Sequence, residues 1–125
     1  MTPQWIDLNV VLAVHEQQIS EHGGLAGIGD LGLIESALAR PQNLQLHNDP
    51  DLFDLAAAYG FSLARNRGFV DGNKRTAYVV TRLFLVLNGQ DIKASAVEKV
   101  LTFEKVGKGK IDQKALASWL RHCSV

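Results

Sequence analysis

Two long apolar segments, residues 50–66 and 73–88, flank one short polar stretch, and that arrangement leaves the chain few ways to fold. The first segment carries Leu55, Ala56, Tyr59, Phe61, Leu63 and Ala64 and is apolar nearly all round, the mark of a helix buried at the centre of a domain. Asp49 before Pro50 reads as its start, with proline at the first helical position. The second segment offers Ala77, Tyr78, Val80, Leu83, Phe84 and Leu87. Its β-branched residues give it some strand character, but its length and the Asn88-Gly89 stop favour a helix. Neither segment can face water, so the rest of the chain must cover both.

The covering elements also read as helices. Residues 6–22 place Ile6, Val10, Val11, Val14 and Ile19 at roughly helical spacing, and Gly23-Gly24 ends the pattern. Four glycines in residues 23–30 make that stretch a loop. Asp30 then caps a helix over 31–40 with Leu33, Ile34, Ala37 and Leu38 on its apolar face, ended by Pro41. Helices over 94–106 and 112–122 complete the set, joined by the Gly107–Lys110 turn, with Asp112 as N-cap and Leu116, Trp119 and Leu120 facing inward. The expectation is an all-α bundle of about six helices forming a single domain over residues 1–125, with any strand confined to about 65–71 or 89–93.

Composition narrows the function. Thirteen basic and 13 acidic side chains cancel to a formal charge of +0, so no general nucleic-acid footprint is expected and any basic surface must be local. Cys123 is the sole cysteine, which rules out an internal disulfide, and no Cys/His spacing suits zinc. No apolar run is long enough for a membrane span, and residues 1–20 lack the pattern of a signal peptide. A cytoplasmic protein without membrane or direct nucleic-acid partners is expected.

The polar stretch, residues 65–76, reads Arg-Asn-Arg-Gly-Phe-Val-Asp-Gly-Asn-Lys-Arg-Thr. Lys74 and Arg75 fall in the first turn of the second central helix, where the helix end is already positive. Cations there are unfavourable by a few tenths to about 1 kcal/mol each. A bound anion would reverse that sign, and phosphate is the usual candidate. Gly72 permits a positive φ, and the amides of Gly72, Asn73 and Lys74 can form a cup. Lys74 offers a point charge and Arg75 a two-pronged donor for phosphate oxygens. Asp71 beside such a cup suits Mg²⁺, and Phe69 would pin the loop to the core. The same residues also suit an ordinary solvated turn, since Asp-Gly-Asn is common turn chemistry. A Walker A loop is excluded: Asn73 and Arg75 break the Gly-Lys-Thr order, and the upstream segment is helical.

The run Phe69-Val70-Asp71-Gly72-Asn73-Lys74-Arg75-Thr76 resembles the central motif of the Fic/Doc family, and specifically of its Doc (death-on-curing) toxin branch. Fic enzymes carry His-x-Phe-x-(Asp/Glu)-Gly-Asn-Gly-Arg, and Doc-type members have Lys where Fic has the second Gly, as Lys74 does here. Residues 15–30 and 33–43 resemble the family's first helix, glycine loop and second helix. The resemblance implies the Fic/Doc fold, with Asp71 holding Mg²⁺, the Gly72/Asn73 turn binding phosphate oxygens, and Lys74 and Arg75 gripping the phosphates of ATP. It also implies transfer of the γ-phosphoryl group to a threonine of elongation factor Tu, and a small antitoxin whose C-terminal helix fills a groove. Fic-like AMP transfer is the alternative, opposed by Lys74.

One position departs from the pattern. Arg67 stands where the motif carries its histidine, the general base. Arginine has no acceptor and stays protonated, so it cannot take the hydroxyl proton. Arg67 can still hold phosphate, so the expectation is a toxin scaffold with impaired catalysis, or a non-catalytic binding module. His15 and His22 read as structural, His47 and His122 as surface, and Tyr78 and Trp119 as core. The Lys105–Lys110 stretch reads as a solvated turn that can also meet an acidic partner.

Overall fold

The computed structural model describes residues 2–125 and contains six helices. They are α1 (Leu8–His22), α2 (Leu31–His47), α3 (Leu52–Asn66), α4 (Asn73–Leu87), α5 (Ala96–Gly107) and α6 (Gln113–His122). The expected all-α bundle is what forms. Among the described residues, extended pairing is limited to two isolated bridges, Ile28 with Phe69 and Ile92 with Ser124.

Helix α3 is the centre. From Leu55 to Leu63 nearly every residue is buried, because α2, α4, α5 and α6 all pack on it. Gly60 packs closely against α4, since a methyl group there would lie 2.5 Å from Thr81 Oγ1. A larger residue at that position would push the two central helices apart. Tyr59 is fully buried, and its hydroxyl accepts from the Ile6 amide at 2.9 Å, tying the N-terminal segment to the core. Helix α1 packs mainly on α4, presenting Val11 and His15 inward while Val10 stays 38% exposed.

Two expected boundaries are corrected. Pro41 does not end the second helix: α2 runs on to His47 with Pro41 buried inside it. A proline at that point leaves the Ala37 carbonyl without its helical donor. The Ser62 hydroxyl on α3 lies 2.6 Å from the Ala58 carbonyl and 3.1 Å from the Ala37 carbonyl, so a neighbouring helix supplies a donor that α2 lacks. The inward face of α2 is Ile34, Ala37, Leu38 and Pro41, whereas Leu33 is 39% exposed. The first central helix starts at Leu52 rather than at Pro50, because Asp51 and Asp54 form a reciprocal capping box there. Asp112 caps α6 as expected, accepting from the Ala115 amide at 2.8 Å.

Candidate active site

The polar loop between α3 and α4 is held rigidly from below. Phe69 is 4% exposed, and the His15 ring stacks on it nearly parallel, with centroids 3.8 Å apart. Burying a phenylalanine contributes about 2–3 kcal/mol, enough to anchor a loop of this length. His15 Nε2 donates to the Asp71 carbonyl at 2.8 Å, so one buried imidazole fastens both ends of the turn. This agrees with a structural His15, although nothing in the sequence spacing showed that this side chain reaches the loop.

Asn73 closes the turn from above. Its side-chain oxygen accepts from the Phe69 amide at 3.0 Å and its amide donates to the Phe69 carbonyl at 2.9 Å. The side chain is thereby fixed in place, and its backbone N–H is left to face a ligand. Gly72 sits at φ 75°, ψ 17°, the left-handed geometry expected of it, and no side chain caps the start of α4. The first-turn amides of α4 are thus left without a side-chain acceptor, at the positive end of the helix dipole.

The charged side chains fall around one cleft of about 420 Å³, lined by Arg67, Asp71, Gly72, Asn73, Lys74 and Arg75. The Asp71 carboxylate accepts from the Gly72 amide at 2.8 Å and from the Leu25 amide at 3.2 Å. These two bonds, helped by Arg75 and His15, hold its pKa below the ordinary carboxylate range, so it is a fixed negative charge at neutral pH. Arg75 donates to the Gly23 carbonyl at 3.0 Å. Lys74 lays its stem near Gly107, and its ammonium has no partner among the described residues. Arg67 ends α3 at φ 52°, ψ 48°, the sole non-glycine among the described residues with positive φ. That conformation costs a residue with a Cβ about 1 kcal/mol.

The glycine loop, residues 23–30, docks on this turn through backbone bonds. The Gly68 carbonyl accepts from the Gly29 and Asp30 amides at 2.9 Å each, and the Val70 amide donates to the Gly27 carbonyl at 3.1 Å. The loop thus borders the cleft, and two of the cleft's charged groups, Asp71 and Arg75, already touch it.

The position of a second concavity was not legible in the sequence. A groove of about 620 Å³ runs between α1, α4 and α5, floored by Tyr78, Val79, Val100 and Phe103, with Lys74 and Arg75 at one end. Val97 and Val100 are 66% and 59% exposed on α5, an apolar helix face without a cover. Their helical spacing was the available signal. Tyr78, expected in the core, is half-buried against Phe103 and lines this groove. No group of three or more metal-binding side chains occurs among the described residues, and no helix there is long and apolar enough to cross a membrane.

Comparison with known proteins agrees with this geometry. The model of the Fic/DOC family matches residues 5–85, which span α1 to most of α4 and include the whole cleft loop. The chain is 47% identical over 74 residues to a protein named Toxin Doc from Mycolicibacterium smegmatis, a match covering 58% of this chain and 57% of that relative. It is 36% identical over 112 residues to Protein kinase doc of Escherichia phage P1, covering 89% of this chain and 88% of the phage protein. With six helices, a left-handed Gly72 and the Asp-Gly-Asn-Lys-Arg turn at the mouth of the cleft, the chain belongs to the Fic/DOC family, on its Doc-type toxin branch.

Proposed function

We propose that this chain is the scaffold of a Doc-type protein-hydroxyl phosphotransferase that binds Mg²⁺-ATP and is impaired in catalysis by Arg67. The observation that carries the reading is the unfinished start of α4: no side-chain cap, a left-handed Gly72, and the unpartnered Lys74 at the edge of the cleft. Such an end lacks only a polyanion.

The residues present suit the nucleotide and its metal. Asp71 is the one carboxylate lining the cleft, and it is ionised at neutral pH. Mg²⁺ needs few protein ligands when phosphates supply the others, so one carboxylate is sufficient. The amides of Asn73 and Lys74 would take phosphate oxygens, the Gly72 amide being held by the Asp71 carboxylate, with Lys74 and Arg75 neutralising their charge. When bound, Mg²⁺-ATP supplies an electrophilic γ-phosphoryl group. Arg67 reaches the same cleft but carries no acceptor, so it can orient phosphate and cannot relieve the attacking hydroxyl of its proton. Loss of a positioned base lowers rates by about 10²–10⁴-fold.

By likeness to the Doc branch, the acceptor is a threonine of elongation factor Tu, and the neutralising partner is an antitoxin whose C-terminal helix would lie in the groove between α1, α4 and α5. The apolar floor and the exposed Val97 and Val100 suit an amphipathic helix. A second reading, a binding module without chemistry, is favoured by Arg67 alone.

The Arg67→His variant decides between them. Expressed without antitoxin it should arrest growth, and mass spectrometry of the incubated elongation factor should show one added phosphoryl group. An added adenylyl group would assign Fic-like AMP transfer instead. No added mass, with ATP binding intact, would leave the binding module.

A further inference from the structure

Charge is distributed unevenly along this neutral chain. The first 39 residues carry five carboxylates and no lysine or arginine, so all 13 cations lie beyond them. Two of those cations are neutralised by ion pairs among the described residues: Arg82 with Asp91, and Arg121 with Asp51 and Asp54. Several of the others meet on one face.

The contacts that join them are specific. Arg40 of α2 and Arg65 of α3 both lie over the Phe61 ring, with guanidinium carbons 5.0 and 5.5 Å from its centroid. Arg40 is held further by a bond from its Nε to the Gln113 side chain. The Arg65 guanidinium reaches the α5–α6 turn, its Nη1 3.1 Å from where a side chain on Gly109 would begin. Lys108 and Lys110 flank that glycine, and both are exposed. Two residues earlier, a side chain on Gly107 would begin 3.2 Å from the Lys74 stem and 3.9 Å from the Ala64 carbonyl, which brings the face to the edge of the cleft. No carboxylate pairs with Arg40, Arg65, Lys108 or Lys110 among the described residues. Asp112, the nearest acid in sequence, is engaged with the Ala115 amide as the cap of α6.

We propose that the strip formed by Arg40, Arg65, Lys108 and Lys110 is a docking surface for an acidic segment of a partner protein, held beside the cleft. Its cations are unneutralised, partly pre-positioned by the Phe61 ring, and continuous with the Lys74 side of the site. Nucleic acid suits it less well. The one aromatic ring in the strip is already engaged by two guanidiniums, which compete with any base for it, and the acidic first 39 residues oppose a long polyanion. The inference rests on the transfer reading only in making that partner the acceptor protein; docking itself needs no nucleotide.

The test is fluorescence anisotropy with a labelled peptide containing six consecutive glutamates, measured without nucleotide at two salt concentrations. Binding should weaken as salt rises, and the Lys108→Glu/Lys110→Glu pair should lower affinity at least tenfold. Arg65→Ala should lower it about threefold. Lys93→Glu, an exposed site past the far end of α4, should change it less than twofold. ATP titration calorimetry on the Lys108/Lys110 pair should match the unaltered chain, which separates failure of docking from failure of the nucleotide site. Equal effects from Lys93 and the turn lysines would overturn the proposal, because attraction would then follow net charge alone. Tighter binding of a single-stranded RNA of equal charge through the same lysines would overturn it in favour of nucleic acid.

Discussion

The two central helices begin in opposite ways. At the start of α3, Asp51 accepts from the Asp54 amide at 2.8 Å, Asp54 accepts from the Asp51 amide at 3.0 Å, and Arg121 bonds both carboxylates. Both carboxylates of that capping box have protein partners. At the start of α4 there is no side-chain cap, the cap residue is a left-handed glycine, and the first turn carries Lys74 and Arg75. Both helices are 15 residues long and both are packed into the same core, so the difference is not one of stability. A helix end finished by acids is a structural joint. One left open and ringed with cations is a place for an anion from outside.

The contrast breaks most sharply if α4 is given the chemistry of α3. Lys74→Glu would set a carboxylate in the first turn, and Mg²⁺-ATP affinity measured by calorimetry should fall about a hundredfold or more. Unchanged affinity would mean that the nucleotide does not use this end. Removing one cation tests the same claim more gently. Lys74→Ala should weaken ATP by about tenfold, the worth of one charge-assisted hydrogen bond, without lowering the melting temperature. The converse change at α3 should do the reverse: Asp51→Ala should cost about 1–2 kcal/mol, seen as a melting point several degrees lower, with ATP binding intact.

The pH response of that corner follows in sign. Burial pulls the Asp51 pKa up, but bonds from Arg121 and Asp54 outweigh it and leave it below 3.8. A depressed folded pKa contributes stability that is present above the unfolded value and lost as pH falls through the folded one. Asp51 is half exposed, so the loss should be about 0.5 kcal/mol, confined to pH below about 4, and absent in Asp51→Asn. The smallest expected effect is at Arg67. Arg67→Gly relieves the left-handed strain but frees the unfolded chain, so a gain of about 0.5 kcal/mol in chemical denaturation is expected. A loss would show that the Arg67 side chain holds the loop in place.

Much of this was written in the chain. The six helices, the glycine loop, the Asp112 cap, the positive φ of Gly72 and the buried Phe69 follow from local rules, since each depends on residues a few positions apart. The gathering of Arg67, Asp71, Lys74 and Arg75 at one cleft was legible for the same reason, because they lie within nine positions on a single turn.

What escaped the local rules required partners distant in sequence. Pro41 stays inside α2 because Ser62, on another helix, stands near the carbonyl that proline orphans. His15 fastens Asp71 across 56 positions, and Arg40 of α2 and Arg65 of α3 meet at the Phe61 ring. Sequence by itself determined the helices and the chemistry of the turn, because propensity, capping and glycine conformation act over one or two turns of chain. Only the packing decided which carbonyls were satisfied, which cations were left unpaired and which faces stayed open, because those depend on what another helix brings within a few ångströms.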